Sequence, residues 1–132
     1  MKITRASHHA VRLLTYLAKR GGEWTSEELA NKLEIPFNHL AKLVQILARR
    51  GFLIAKKGKG GGIKLAMEPK KIDLARVMEA VEGPMILSDC IFSRKNCPFS
   101  KGCGLRNCLS EISQRIEKML SSTSILDLVP SP

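Results

Sequence analysis

All four cysteines of this chain fall within nineteen residues, Cys90, Cys97, Cys103 and Cys108, in the stretch CIFSRKNCPFSKGCGLRNC. Thiols scattered along a chain usually fill core space, whereas thiols gathered in one segment point to thiolate chemistry or a bound metal. The separations are Cys-x6-Cys, Cys-x5-Cys and Cys-x4-Cys. Structural zinc sites use tight knuckles of about two to four intervening residues, in two pairs. These gaps are wider and form a single run, which suits a cluster of several irons whose ligands stand further apart. Arg94, Lys95, Lys101 and Arg106 surround the thiols and favour their ionised form. Pro98, Gly102 and Gly104 let the segment wrap an object. An iron–sulfur cluster is the expected cofactor. Thiols that form reversible disulfides, and four ordinary cysteines, are the competing readings.

A fourth ligand has several candidates. Cys103 and Cys108 are five residues apart, about 140° of rotation on one continuous helix, which keeps both from facing one cluster. That obstacle weakens if the helix starts only after Cys103. Cys108 is otherwise a small apolar residue in a helix seam. His8 offers an imidazole from the first helix, as does His9 beside it, and histidine replaces thiolate on some clusters. Three cysteines with one weaker ligand fit a [4Fe-4S] cluster slightly better than a [2Fe-2S] cluster.

These residues need elements to position them, and the hydrophobic pattern supplies a mainly helical set. Residues 4–20 carry Ala10, Leu13, Leu14 and Leu17 on one face and end at Gly21-Gly22. Thr25 with Glu28 forms a capping box for a short helix through Leu33. Ile35-Pro36 is a turn that starts the next helix, residues 37–50, with Leu40, Leu43, Val44 and Leu47 on its inner face. Asn38, Lys42, Gln45 and Arg49 share the outer face, which is polar and basic without an acid. Short strands near 52–56 and 62–66 are joined by KKGKGGG. A helix entered at Asp73 closes at Gly83-Pro84. A long helix from about Leu105 to Leu120 carries a seam of Leu105, Leu109, Ile112, Ile116 and Leu120, and Ser124 caps a last turn. Helix, capped helix, turn, helix and hairpin, in that order, make a winged helix-turn-helix, whose second helix enters the major groove.

Charge agrees with that reading. Residues 1–71 hold 15 Lys+Arg and 5 Asp+Glu, net +10; residues 72–132 hold 7 of each, net zero. The whole positive excess lies in the half with the helix-turn-helix pattern, as a polyanion-binding module requires. Asn38, Lys42 and Gln45 are suited to base edges, with His39 bordering them, while Arg49 and the wing residues Lys57, Lys59, Gly60 and Gly61 are suited to the phosphate backbone. Lys2, Arg5 and Arg12 interrupt any signal-peptide core, and no apolar run is long enough to span a bilayer, so the cytoplasm is expected and membrane partners are not. Paired carboxylates, a nucleotide loop and a Ser/His/Asp arrangement are not evident, so no enzyme activity is expected.

The segments MKITRASHHAVRLLTYLA, IPFNHLAKLVQILARRGFLIAKKGKGGGIKLA, IDLARVMEAVEGP and the run from Cys103 through SILDLV together resemble the Rrf-two family of bacterial transcription regulators over nearly the whole chain. The resemblance implies a winged helix-turn-helix domain (1–83), a cysteine-containing sensor loop (84–104) and a long C-terminal dimerisation helix with its tail (105–132). It implies a homodimer on a double-stranded DNA operator. It matches Cys90, Cys97 and Cys103 to the cluster-binding cysteines of the iron–sulfur-sensing members. In nitric-oxide-sensing members an acidic side chain from the partner subunit completes the site; His8 stands at that position here. In cluster-biogenesis members a histidine does so, three residues beyond the last cysteine, where this chain has Arg106. Family contacts on the recognition helix fall at Asn38, His39, Ala41 and Lys42. The family's wing reads RGxGGGY, from which Lys57 and Ile63 depart. The expected function is a regulator whose operator binding depends on the cluster, through nitric oxide, redox state or cluster supply. A metal-free thiol-redox or partner-binding repressor is the alternative, and an iron–sulfur electron carrier a more distant one.

Overall fold

The computed structural model describes residues 3–84, 97–99 and 101–131. Helix α1 (Arg5–Arg20) is the spine of the fold: α4 (Leu74–Glu82), α6 (Ile125–Leu128), α3 (Phe37–Arg49) and α2 (Ser26–Leu33) all pack on it. Ser7, His9, Ala10, Leu13, Leu14 and Leu17 are the residues α1 buries. The four apolar ones, Ala10, Leu13, Leu14 and Leu17, join Leu29 and Leu33 of α2, Leu40, Leu43 and Leu47 of α3, Phe52, Ile72 and Val77 in one hydrophobic core. This single core is what a small chain must build, because little else offsets its chain entropy.

The helix boundaries follow their caps. Thr4 accepts from the Ser7 amide and opens α1; the Thr25–Glu28 capping box opens α2 as expected. Pro36 stands one residue earlier than a first-turn proline: it is the N-cap of α3 and gives no side-chain bond. Arg12 of α1 donates from Nη2 to the Leu33 carbonyl at 2.7 Å, satisfying a free acceptor at the end of α2. Strands β1 (Leu53–Ala55) and β2 (Ile63–Leu65) pair antiparallel, Leu53 opposite Leu65 and Ala55 opposite Ile63. They are shorter than the expected 52–56 and 62–66. A bridge from Trp24 to Ile63 ties the hairpin to the chain ahead of α2.

Two ties were not expected from the sequence. The first joins α4 to the start of α1. Ser7 Oγ donates to Glu82 Oε1 at 2.6 Å, and Thr4 Oγ1 donates to the same oxygen. Those bonds, Ser7 first, hold the Glu82 carboxyl below its ordinary pKa. A depressed folded-state pKa adds stability above the unfolded pKa that is lost as pH falls through the folded value. Ser7→Ala is therefore expected to reduce the loss of stability on acidification below the normal carboxylate range, read by urea melts across pH 3–6 (a window of about three units).

The second tie runs from the far end of the chain. Helix α5 (Gly104–Ser121) leads through Thr123 back to the head, where Asp73 and Ser124 form an isolated bridge. The Leu74 amide donates to Thr123 O at 2.9 Å and the Ile125 amide to Ile72 O at 2.8 Å. Ser124 then opens α6 with a capping box, and Ile125 is fully buried in the core.

Candidate nucleic-acid interface and thiol segment

Helix α3 presents two faces. Leu40, Leu43, Val44 and Leu47 are buried, and Asn38, His39, Lys42, Gln45 and Arg49 are all exposed. Ala41 is half-buried between them. The expected outer face is thus on the surface, with amide, ammonium and guanidinium groups along one line and no carboxylate among them. Such a line offers donors and acceptors to base edges and positive charge to phosphates.

The wing lies beyond β1. Lys56, Lys57 and Lys59 are exposed in the connection between the strands. Its shape depends on glycine at two site positions. Gly60 has φ +77°, the left-handed region that side chains disfavour. At Gly61 an added Cβ would lie 2.3 Å from the Lys56 carbonyl oxygen and 2.9 Å from that of Gly58, so the backbone passes where no side chain fits. Gly61→Ala is expected to displace the Lys56 carbonyl and weaken the neighbouring Lys56 N–H to Gly62 O bond of 3.0 Å. The cost should be about 1–3 kcal/mol in denaturant melts, the scale of a steric insertion with no room to relax.

His9 is buried on α1. Its pKa is lowered first by burial and then by the charges of Arg12, His8, Arg5 and His39. Burial and the basic neighbours both disfavour its protonated form. His8 is exposed on the first turns of α1, its ring centroid 6.4 Å from that of His9.

Of the expected thiol ligands, Cys97 and Cys103 are half-buried and free and Cys108 is exposed and free. Cys90 lies outside the described residues. Cys103 is the N-cap of α5, with extended backbone at φ −70° and ψ 116°, and its Sγ accepts from the Arg106 amide at 3.5 Å. Because α5 starts after Cys103, the rotation argument against pairing it with Cys108 weakens. Soft, half-buried thiols in non-helical backbone suit iron–sulfur ligation. Among the described residues no three His, Cys, Asp or Glu side chains converge on a metal position.

Helix α5 buries no residue. Leu105 is 66% exposed, Met119 70% and Ile112 41%, with Leu109, Ile116 and Leu120 half-buried beside them. The expected seam is therefore an apolar stripe that the described residues leave largely uncovered. No described helix is long and apolar enough to cross a membrane.

Residues 3–131 match the Rrf2 family, described as an iron-dependent transcriptional regulator. The HTH-type transcriptional regulator NsrR of Bacillus subtilis (strain 168) is 33% identical over 98% of this chain and 90% of its own length. That of Shouchella clausii (strain KSM-K16) is 31% identical over 98% and 89%. Among solved structures, CymR, the global cysteine regulator of B. subtilis, superposes with a TM-score of 0.77 at 23% identity, covering 98% of this chain and 96% of that one. IscR of T. potens gives 0.73 at 22% identity, over 97% and 85%. The two structures bear on the fold, which is that of a winged helix-turn-helix regulator. The family is one of regulators and not of enzymes, and the electron-carrier reading falls with it. From the family match across the chain and the likeness to NsrR, this protein is a member of the Rrf2 family of transcriptional regulators.

Proposed function

We propose that the chain works as a homodimer that binds an operator in duplex DNA and answers to an iron–sulfur cluster held by its cysteine segment. One observation carries the DNA half of this reading: the outer face of α3, with Asn38, His39, Lys42, Gln45 and Arg49, is exposed, as is the lysine-bearing wing. In a winged helix-turn-helix that face enters the major groove, with Asn38, Lys42 and Gln45 toward base edges. His39 and Ala41 border it, and Arg49, Lys57 and Lys59 meet phosphates together with the backbone at Gly60 and Gly61. Two such heads need a two-fold, and the uncovered stripe of α5 suits the isologous pairing that a two-fold creates. The domain division is then a DNA-binding head (1–83), a cysteine loop (84–104) and a pairing helix with its tail (105–132). The cytoplasm is the compartment this reading implies.

Cys90, Cys97 and Cys103 would hold the cluster, with His8 or Cys108 as the fourth ligand, and [4Fe-4S] is the form that three thiolates and one weaker ligand favour. When bound, the cluster supplies a centre that reacts with nitric oxide or oxidants and is lost when its supply fails. The chain's own part is mechanical. Cys103 caps the start of α5, and the far end of α5 is tied to the head through Thr123, Ser124 and Ile125. A change in how Cys103 is held is thereby passed to the helix that pairs the heads. A tenfold change in operator affinity needs only about 1.4 kcal/mol of differential stability.

The test is the affinity of anaerobically purified protein, before and after iron removal, for a duplex selected by the protein itself, at one fixed salt concentration. A difference of tenfold or more is expected. Equal affinities would remove cluster control while leaving DNA binding in place. The free, half-exposed Cys97 and Cys103 also suit a metal-free thiol switch. A colourless, iron-free preparation whose affinity changes on oxidation would favour that second reading.

A further inference from the structure

Phe37 is the one aromatic residue that the head leaves in the open. Tyr16 and Trp24 pack edge to face at 5.5 Å, and Phe52 is buried with Arg76 lying over its ring at 5.3 Å. Phe37, in contrast, is 50% exposed. The core does not require it, since its neighbours Ile35 and Leu40 are buried there instead. It is the first residue of α3. A helical side chain leans toward the N-terminus, so a residue in the first turn projects ahead of the helix. Ala41 follows one turn later on the same edge, four residues on. Together they give the Asn38–Lys42–Gln45 face an apolar border at the end that leads into a groove.

The major groove presents one apolar feature, the C5 methyl of thymine, and phenylalanine and alanine are among the side chains that contact it. We propose that Phe37 is a specificity-determining residue that reads a thymine methyl in each half-site of the operator. The inference rests on the proposed regulator function and extends it, from which face touches DNA to which base that face selects. It assigns to Phe37 a role separate from those of Asn38, Lys42 and Gln45, whose hydrogen bonds read other edges. It also explains why a large apolar ring is retained on a surface otherwise made of amides and cations.

The experiment uses the full-length protein and a duplex enriched by that protein from a randomised library. Each thymine of one half-site is replaced singly by uracil, which deletes the methyl and leaves the pairing edge unchanged. At one position the wild-type protein should bind about fourfold more weakly, the factor expected for one buried methyl group. Phe37→Ala should bind the thymine and uracil duplexes at that position equally, while Phe37→Leu keeps part of the difference. Thermal melts of both variants check that the exposed substitution leaves the fold intact. Two results would overturn the assignment: no uracil position that weakens wild-type binding, or a penalty of the same size in Phe37→Ala. A library that yields no enriched sequence is a different failure. It would overturn the regulator reading itself, and this inference with it.

Discussion

Replacing Cys90, Cys97 and Cys103 together with serine is expected to remove iron, sulfide and visible absorbance in one step, and to leave a protein whose duplex affinity no longer responds to iron stripping. The variant should still fold. Cys97 and Cys103 are half-buried and lie outside the hydrophobic core, so serine leaves no apolar cavity there. At position 103 serine is, if anything, the better residue for the local backbone. Cys103 Sγ accepts from the Arg106 amide as an N-cap, and a serine hydroxyl is a preferred group for that task. Loss of colour in a variant with an unchanged melt is then loss of ligands and not of structure. The size of the effect on binding equals the gap between the iron-bearing and iron-stripped wild-type protein, expected to be tenfold or more. Single replacements of His8 and Cys108 complete the experiment: whichever one lowers iron content supplies the fourth ligand. Iron, colour and promoter response that all survived the triple replacement would end the cluster reading.

The largest effect on stability is expected from a residue near the other end of the chain. Ile125→Ala should cost about 2–5 kcal/mol in a urea melt, the range for truncating a large buried aliphatic side chain. Ile125 is fully buried in the core that holds α1, α3 and α4 together, although it belongs to a four-residue helix close to the terminus. Its own amide donates to Ile72 O at 2.8 Å, and Ile72 is itself fully buried. The control is Leu126→Ala. Leu126 is exposed, and its replacement should stay within about 0.5 kcal/mol of wild type. Equal melts for the two variants would mean that the tail does not dock on the head in solution.

The comparison of these residues shows what could be read from the chain beforehand. The inner and outer faces of α3 follow from period-3.6 spacing, and the structure places Leu40, Leu43, Val44 and Leu47 inside and Asn38, Lys42, Gln45 and Arg49 outside as that spacing requires. The Thr25–Glu28 box, the Asp73 cap and the Ser124 cap were legible for the same reason: each is a local contact between residues a few positions apart. The ties between distant segments carried no such signal. Nothing in the spacing of Thr4, Ser7 and Glu82 announces that one carboxylate gathers both hydroxyls, and nothing in ILDLV distinguishes the buried Ile125 from the exposed Leu126 and Leu128. Phe37 carries no signal of its exposure: an apolar residue at the head of an amphipathic helix reads as core, and only the burial of Ile35 and Leu40 in that space sets it apart. For the thiols, clustering and spacing were plain in the sequence.

The bridge between Asp73 and Ser124 has a further consequence. Leu74 and Thr123 are hydrogen-bonded neighbours at the start of α4, and the chain leaves the head at the other end of that helix, about 12 Å away. What is threaded between the end of α4 and Thr123 is, to the head, a closed excursion. The entropy of closing such an excursion grows only with the logarithm of its length, about 0.6 kcal/mol for each doubling. Insertions and deletions in it are therefore cheap for the part of the molecule that holds the winged helix. The architecture allows the segment between α4 and α6 to diverge, lengthen or be exchanged as a cassette, while the winged-helix head keeps its interior unchanged.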